Sequence, residues 1–135
     1  MRFSADYEAI PESVGIVRNQ MAALARDCGL DERSIGDVRL AVSEATTNAL
    51  IHGYRDGPGT IRVRASIVAG ELLIAIHDDG CGMRPRTDSP GLGLGLPVIA
   101  SVANRMEIVD DNPGTELRMT FDCPHASAPP IAITV

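Results

Sequence analysis

The segment spanning residues 72–78 is almost wholly apolar until its end, and this feature constrains the fold more than any other. Such a run is typical of a strand buried in the middle of a sheet. Side chains alternate along a strand, so Asp78 lies in phase with Leu72, Ile74 and Ile76 and is predicted to face the core with them. The sequence therefore predicts a sheet whose central strand ends in an inward-facing carboxylate.

The segments around this strand alternate between helical and extended periodicity. Apolar residues at three- and four-residue steps predict a helix from Pro11 to a C-terminal Gly29, and a second from an N-cap at Asp31 to about Ile51. A third helix is predicted near Leu96. Strands are predicted in residues 1–10, 61–67, 106–109 and 115–121.

The resulting order, β-α-α-β-β-α-β-β, predicts an α+β fold. We expect a two-layer α/β sandwich with a mixed, mostly antiparallel sheet and about three helices on one face. One domain is predicted over residues 1–123, and the Pro/Ala-rich residues 124–135 are predicted to be a disordered tail.

All 12 basic residues of the 135-residue chain are arginines. The absence of lysine excludes Schiff-base chemistry, a Walker A loop and the usual protein-kinase strand lysine. A net charge of −6 and only 3% aromatic residues argue against nucleic acid and anionic membranes as partners. Any phosphate-binding site in this chain must use groups other than lysine.

The spacing of the cysteines and the length of the apolar runs predict the cellular compartment. Three cysteines, Cys28, Cys81 and Cys123, are far apart in the sequence and have no metal-like spacing. We interpret Cys28 as a buried small hydrophobe on a helix face. No apolar stretch approaches the ~20 residues of a membrane span. A soluble protein in the reducing cytoplasm is the expected setting.

The second helix carries Glu44 and Asn48 four residues apart, which places a carboxylate and an amide on one face. An amide oxygen suits Mg²⁺, and a nearby carboxylate can orient a hydroxyl or take its proton. Taken alone, the pair is also typical of a solvated helix face.

Glycines follow the central strand and precede the third helix. Asp78, Gly80 and Gly82 form a D-x-G-x-G turn, where the carboxylate needs a donor such as an adenine amino group or an arginine. Gly93 and Gly95 precede the third helix, whose N-terminal amides can bind phosphate without lysine. A tight turn and a flexible loop are the alternative interpretations of these two segments.

The last strand begins with Thr115, in phase with the core-facing Leu117, Met119 and Phe121. A hydroxyl that points into a core needs a hydrogen-bond partner, which a nearby backbone group can also provide. If the strand ending at Asp78 is a neighbour, the two side chains can meet one edge of a ligand.

In this order the motifs resemble those of the Bergerat-type ATPase family, which includes DNA gyrase B, the histidine kinases and the bacterial anti-sigma-factor serine/threonine kinases. Residues 43–54, SEATTNALIHGY, resemble the N-box of the anti-sigma kinases. Residues 78–83 and 93–96 resemble their two glycine boxes, and residues 114–115 resemble the last one. The resemblance covers residues 10–122 and implies a histidine-kinase-like ATPase fold.

The resemblance implies a role for each matching residue. Asn48 binds Mg²⁺, and Glu44 is the general base that activates a serine hydroxyl. Asp78 accepts a hydrogen bond from the adenine amino group, and Thr115 supports that contact. The remaining implied roles belong to glycines: Gly80 and Gly82 border adenine, and Gly93 and Gly95 lie beside the phosphates. The implied cofactors are ATP and Mg²⁺.

The resemblance further implies a cytoplasmic kinase that phosphorylates an anti-anti-sigma protein, sequesters a sigma factor and forms a homodimer. A non-catalytic ATP-binding module and a switch kinase for another regulator are the alternatives. The loop between the glycine boxes is short, and Arg84 and Arg86 are its only cations, so we expect one of them to reach the phosphates.

Overall fold

The computed structural model describes residues 2–53, 59–80, 95–110 and 114–123. Gly82, Gly93, Cys81, Arg84, Arg86 and the tail 124–135 lie outside these ranges, so the predictions for them stay predictions. The elements are β1 (Arg2–Glu8), α1 (Pro11–Asp27), α2 (Glu32–Gly53), β2 (Thr60–Val68), β3 (Glu71–Asp78), α3 (Gly95–Val102), β4 (Arg105–Asp110) and β5 (Thr115–Asp122).

The five strands form one sheet in the order β1-β2-β3-β5-β4, so the apolar β3 is the central strand, as its sequence predicts. The α+β class with helices on one face is confirmed, but the sheet is not mixed: every pair among the described strands is antiparallel. The crossover through α3 does return the chain parallel to β3. However, β5 lies between β3 and β4, so these two parallel strands never pair.

Local sequence signals set the ends of the helices. Pro11 begins α1, and Gly29 follows its C-cap with a φ of 89°, a conformation that glycine adopts without strain. The N-cap of α2 is Asp31, whose carboxylate accepts a hydrogen bond from the Ser34 amide at 2.8 Å. Ala69 and Gly70, both with positive φ, make the tight turn between β2 and β3.

The core lies between the helices and one face of the sheet. It is built from the predicted stripe of α2 and the inward-facing residues of the central strands; its fully buried members include Ile35, Val38, Val42, Ile61, Leu72, Ile74, Leu117 and Met119. None of the helices in the described ranges is long and apolar enough to cross a membrane.

The fold brings together two cysteines that are distant in the sequence. Cys28 is half-buried at the end of α1, and Cys123 is buried just after β5. The Cys123 thiol donates a hydrogen bond to the Cys28 carbonyl oxygen at 3.3 Å. Burial raises the pKa of the Cys28 thiol, and the nearby Cys123 raises it further. Cys123 is therefore a small buried group, whereas Cys28 packs against the core at the C-cap of α1 and is less buried than its sequence predicts.

Candidate functional site

Asp78 and Thr115 are directly opposite each other in the ladder between β3 and β5. Both side chains are buried, with 3% of each residue exposed, and both lie on the sheet face that packs against the helices. The alternation of side chains predicts this orientation, and the pairing of β3 with β5 brings the two residues together. A carboxylate and a hydroxyl are thus placed side by side at one end of the sheet.

Gly114 makes this close pairing possible. Its φ is 89°, and a Cβ atom at this position would lie 2.9 Å from the Asp78 carbonyl carbon and nearer still to its oxygen. A side chain would therefore push β5 away from β3 at the point where Thr115 meets Asp78. In the sequence Gly114 is only part of a motif; the requirement for glycine follows from the contact with β3.

Within the described ranges, the buried Asp78 carboxylate accepts a hydrogen bond from a backbone amide. The Gly80 amide donates to Asp78 Oδ1 at 2.9 Å, which fixes the start of the glycine turn. Burial raises the pKa of Asp78, and the Gly80 amide only partly offsets this effect. The carboxylate thus retains acceptor capacity beside the core, which suits a ligand with a polar hydrogen.

Helix α2 packs against β3, β5 and α3, and it carries the other two polar residues. Asn48 is 4% exposed, and within the described ranges its Nδ2 atom has no hydrogen-bond partner. Glu44, one turn earlier, is half-buried. A buried amide without a partner costs stability unless a ligand or water satisfies it. Asn48 is therefore not part of a solvated helix face, and its buried amide nitrogen can donate a hydrogen bond to a ligand or a water.

The start of α3 completes the described part of the site. Gly95 is the first residue of this eight-residue helix, which packs against α2. The first amides of a helix lack intrahelical acceptors and can bind an anion. Of the predicted glycines, Gly80 and Gly95 are described and lie at the predicted places, at the end of β3 and the start of α3.

One polar network on the opposite face of the sheet is not predicted from the sequence. Glu116 is 2% exposed and accepts hydrogen bonds from Arg64 and from Arg118, the latter at 2.6 Å. Burial alone would raise the pKa of Glu116, but these two hydrogen bonds outweigh burial and lower it. Charged residues alternate with core residues on β2 and β5, which is the signal that could have revealed the network.

The two-layer fold places a buried carboxylate and hydroxyl, a buried amide and the N-terminus of α3 around one end of the sheet. This arrangement is typical of a nucleotide-binding domain. The donor set fits ATP and Mg²⁺, because an amide oxygen is a Mg²⁺ ligand and a buried carboxylate can accept from an adenine amino group. A family model described as "Histidine kinase-like ATPase domain" matches residues 7–121. The chain belongs to the histidine kinase-like ATPase domain family.

Curated relatives confirm the resemblance seen in the sequence. The chain is 37% identical over 105 residues to the anti-sigma F factor of Clostridium kluyveri, covering 69% of this chain and 72% of the relative. It is 36% identical over 99 residues to the serine-protein kinase RsbW of Bacillus licheniformis, covering 69% of this chain and 62% of that protein.

A solved structure agrees with the fold. A structure of the RsbU and RsbW domains of a Mycobacterium tuberculosis protein superposes with a TM-score of 0.71 and 23% identity. It covers 90% of this chain, which spans about a third (32%) of that protein. At this identity the likeness shows the fold alone.

Proposed function

We propose that the protein is an ATP-dependent protein serine/threonine kinase that acts as an anti-sigma factor. The names of the relatives, anti-sigma F factor and serine-protein kinase RsbW, support this function. The observation that carries it is the burial of Asn48, whose Nδ2 atom has no partner in the described part of the chain. Asn48 lies one helical turn from Glu44, on a helix that packs against the strands of Asp78 and Thr115.

The site residues divide the work between binding and proton transfer. Asp78 would accept a hydrogen bond from the adenine amino group, and Thr115 would support that contact. Gly80 and Gly82 would border the adenine ring. Gly93 and Gly95 lie next to the phosphates. Asn48 holds Mg²⁺, which neutralises phosphate charge when it is bound. Glu44 would accept the proton of the attacking hydroxyl as that oxygen bonds to the γ-phosphorus of ATP, while the bond from this phosphorus to the β,γ-bridging oxygen breaks and ADP leaves.

The partners follow from the same proposal. The hydroxyl belongs to a serine or threonine of an anti-anti-sigma protein, and a sigma factor is the protein held inactive. The active form is a homodimer in the cytoplasm. The absence of lysine is compatible with this chemistry, since the proposed phosphate contacts are Mg²⁺, glycine amides and a helix start.

The test is incubation of the chain with γ-labelled ATP, Mg²⁺ and anti-anti-sigma proteins from the same genome, in parallel with sigma-factor binding. We expect label on a serine or threonine of one partner and nucleotide-dependent capture of one sigma factor. Sigma binding without any transferred label would reject the kinase proposal and favour a non-catalytic binding module. Label on an unrelated regulator would instead indicate a switch kinase.

A further inference from the structure

Two cysteines meet at the end of β5 that is farthest from the nucleotide site. Thr115 begins this strand opposite Asp78, and Cys123 follows its last residue. The strand has eight residues, so Cys123 lies about 27 Å from Thr115 along the chain direction. Cys28, the C-cap of α1, contacts Cys123 at this end although 95 positions separate the two in the sequence.

The contact between the two cysteines is direct. The Cys123 thiol donates a hydrogen bond to the Cys28 carbonyl oxygen at 3.3 Å. A carbonyl oxygen lies at most about 2.8 Å from its own Cα atom, so the Cys123 Sγ atom is within about 6 Å of the Cys28 Cα atom. Disulfides join cysteines whose Cα atoms are about 4.4–6.8 Å apart, so the contact is on the scale of a disulfide. Rotation of Cys28 about χ1 is the movement that brings its sulfur toward the other.

The electrostatics of Cys28 support a short separation of the sulfurs. Burial is the main reason why the pKa of the Cys28 thiol is raised, and Cys123 raises it further. Neighbouring charges shift a pKa chiefly from about 4–6 Å, so the two thiols must be near each other. A raised pKa also means that little thiolate is present near neutral pH, so Cys28 reacts slowly with oxidants.

Hydrogen bonds hold the backbone on both sides of the contact. The Cys123 amide donates to the Gly70 carbonyl oxygen at 2.7 Å, in the turn between β2 and β3. The Cys28 amide donates to the Leu24 carbonyl oxygen at 3.0 Å, in the last turn of α1. Reacting groups that are held together react much faster with each other than with a partner from solution.

The two thiols differ in exposure, and this difference sets an order of reaction. Cys28 is half-buried, whereas Cys123 is 1% exposed. A small oxidant can reach the Cys28 sulfur from solvent, but the core covers the Cys123 sulfur. Cys28 is therefore the residue that meets the oxidant, and Cys123 is the residue placed to react with the product.

We propose that Cys28 and Cys123 form a reversible disulfide when the chain meets a small-molecule disulfide such as oxidised glutathione. The Cys28 thiolate attacks one sulfur of the oxidant, whose S–S bond breaks, and one glutathione thiolate leaves. Cys123 loses its proton to solvent and attacks the Cys28 sulfur, which releases the second glutathione. The two cysteines lose two protons and two electrons, and one oxidised glutathione becomes two reduced molecules. Reduced glutathione reverses the exchange.

The disulfide ties the end of α1 to the end of the sheet without contact with the nucleotide site. The bond joins positions 95 apart, and a cross-link over so long a loop strongly restricts the unfolded chain. The thermal unfolding midpoint of the oxidised chain should rise by roughly 5–15 °C. Nucleotide affinity should not change, because the bond is at the opposite end of β5 from Thr115.

The experiment uses the full chain with Cys81→Ser, which removes the third cysteine of the sequence. The folded chain is equilibrated with oxidised glutathione at about pH 8, where more of the thiol is ionised. Remaining thiols are alkylated, and the chain is cleaved after arginine. Residues 27–33 and 119–135 carry one cysteine each. We expect these two peptides to be linked, and the link and the rise in unfolding midpoint to disappear together on reduction.

Two variants in the same background test the order of reaction. Cys123→Ala should stop at the mixed disulfide, with one glutathione on Cys28. Cys28→Ser should stay unmodified, because the remaining cysteine is buried. Circular dichroism checks that each variant is folded, and Cys28→Ser changes only a half-buried position, so it remains informative if the core variant is unstable.

Three results would overturn parts of this inference. A folded chain that gives no linked peptide, or gives it only in denaturant, overturns the disulfide. A linked chain whose unfolding midpoint does not rise overturns the stabilising role. Loss of binding of a fluorescent ATP analogue on oxidation overturns the separation from the nucleotide site. None of these measurements involves phosphate transfer, so this inference and the kinase proposal can fail independently.

Discussion

Replacement of Gly114 by alanine should destabilise the fold and empty the nucleotide site in one step. The new Cβ atom would lie 2.9 Å from the Asp78 carbonyl carbon and 3.0 Å from the Asp79 Cα atom. Carbon atoms pack favourably at about 3.5–4.0 Å, so β5 must move away from β3 by at least ~0.5–1 Å. That movement separates Thr115 from Asp78, which are paired in the ladder.

Two energetic costs add up at this position. A non-glycine residue at a φ of 89° costs about 1–2 kcal/mol in backbone strain. An extra methyl group in a well-packed position costs about 1–3 kcal/mol. We therefore expect Gly114→Ala to lose about 2–5 kcal/mol of unfolding free energy, a large share of the ~5–15 kcal/mol of a domain this size.

The assay is urea denaturation followed by circular dichroism, together with titration of a fluorescent ATP analogue. Gly36→Ala is the matched control, because Gly36 lies inside α2, one turn from its start, and nothing lies within 4 Å of the added Cβ. This control should gain about 0.5–1 kcal/mol and bind nucleotide normally. A Gly114→Ala chain with wild-type nucleotide affinity and a loss under ~1 kcal/mol would refute the reasoning.

Three further changes test separate parts of the structure. Asn48→Ala should abolish Mg²⁺-dependent ATP binding in calorimetry while the thermal unfolding midpoint stays close to that of the wild type; unchanged affinity would refute the metal role. Burial raises the pKa of Asp78, so acidification towards the ordinary pKa of an aspartate should weaken ATP binding and at the same time favour the folded, ligand-free chain. Asp78→Asn should remove both pH effects, and their persistence would assign them to another group. Asp31→Ala should cost about 1 kcal/mol in denaturation through the lost N-cap, with nucleotide affinity unchanged.

The pairing of Asp78 with Thr115 shows how far the sequence alone can lead. Period-two alternation places each residue on the core side of its own strand, and both placements are confirmed. Alternation cannot identify which strands are neighbours, because that depends on contacts between distant segments. From the sequence, Asp78 and Thr115 are expected to meet only if their strands are neighbours. The strand order shows that β3 and β5 are neighbours.

Gly114 and Glu116 show which features of the site and the sheet cannot be predicted from the sequence. The need for glycine at residue 114 comes from the Asp78 carbonyl, 36 positions earlier in the chain, and no local pattern reports that distance. Glu116 has the charge of a surface residue, yet it is buried because arginines from β2 and from its own strand cover it. The expectation of a mixed sheet failed for a similar reason, since β5 inserts between the two parallel strands.

The proposed kinase activity requires that the site transfers phosphate and that Glu44 takes the proton of the attacking hydroxyl. The most direct measurement is the rate of label transfer from γ-labelled ATP to the anti-anti-sigma partner by wild-type and Glu44→Gln chains, each with its ATP affinity measured. The account predicts similar ATP affinity and a transfer rate at least ~100-fold lower for Glu44→Gln, because general-base catalysis contributes about 10²–10⁴-fold. Transfer within a few-fold of the wild type at equal affinity would contradict it.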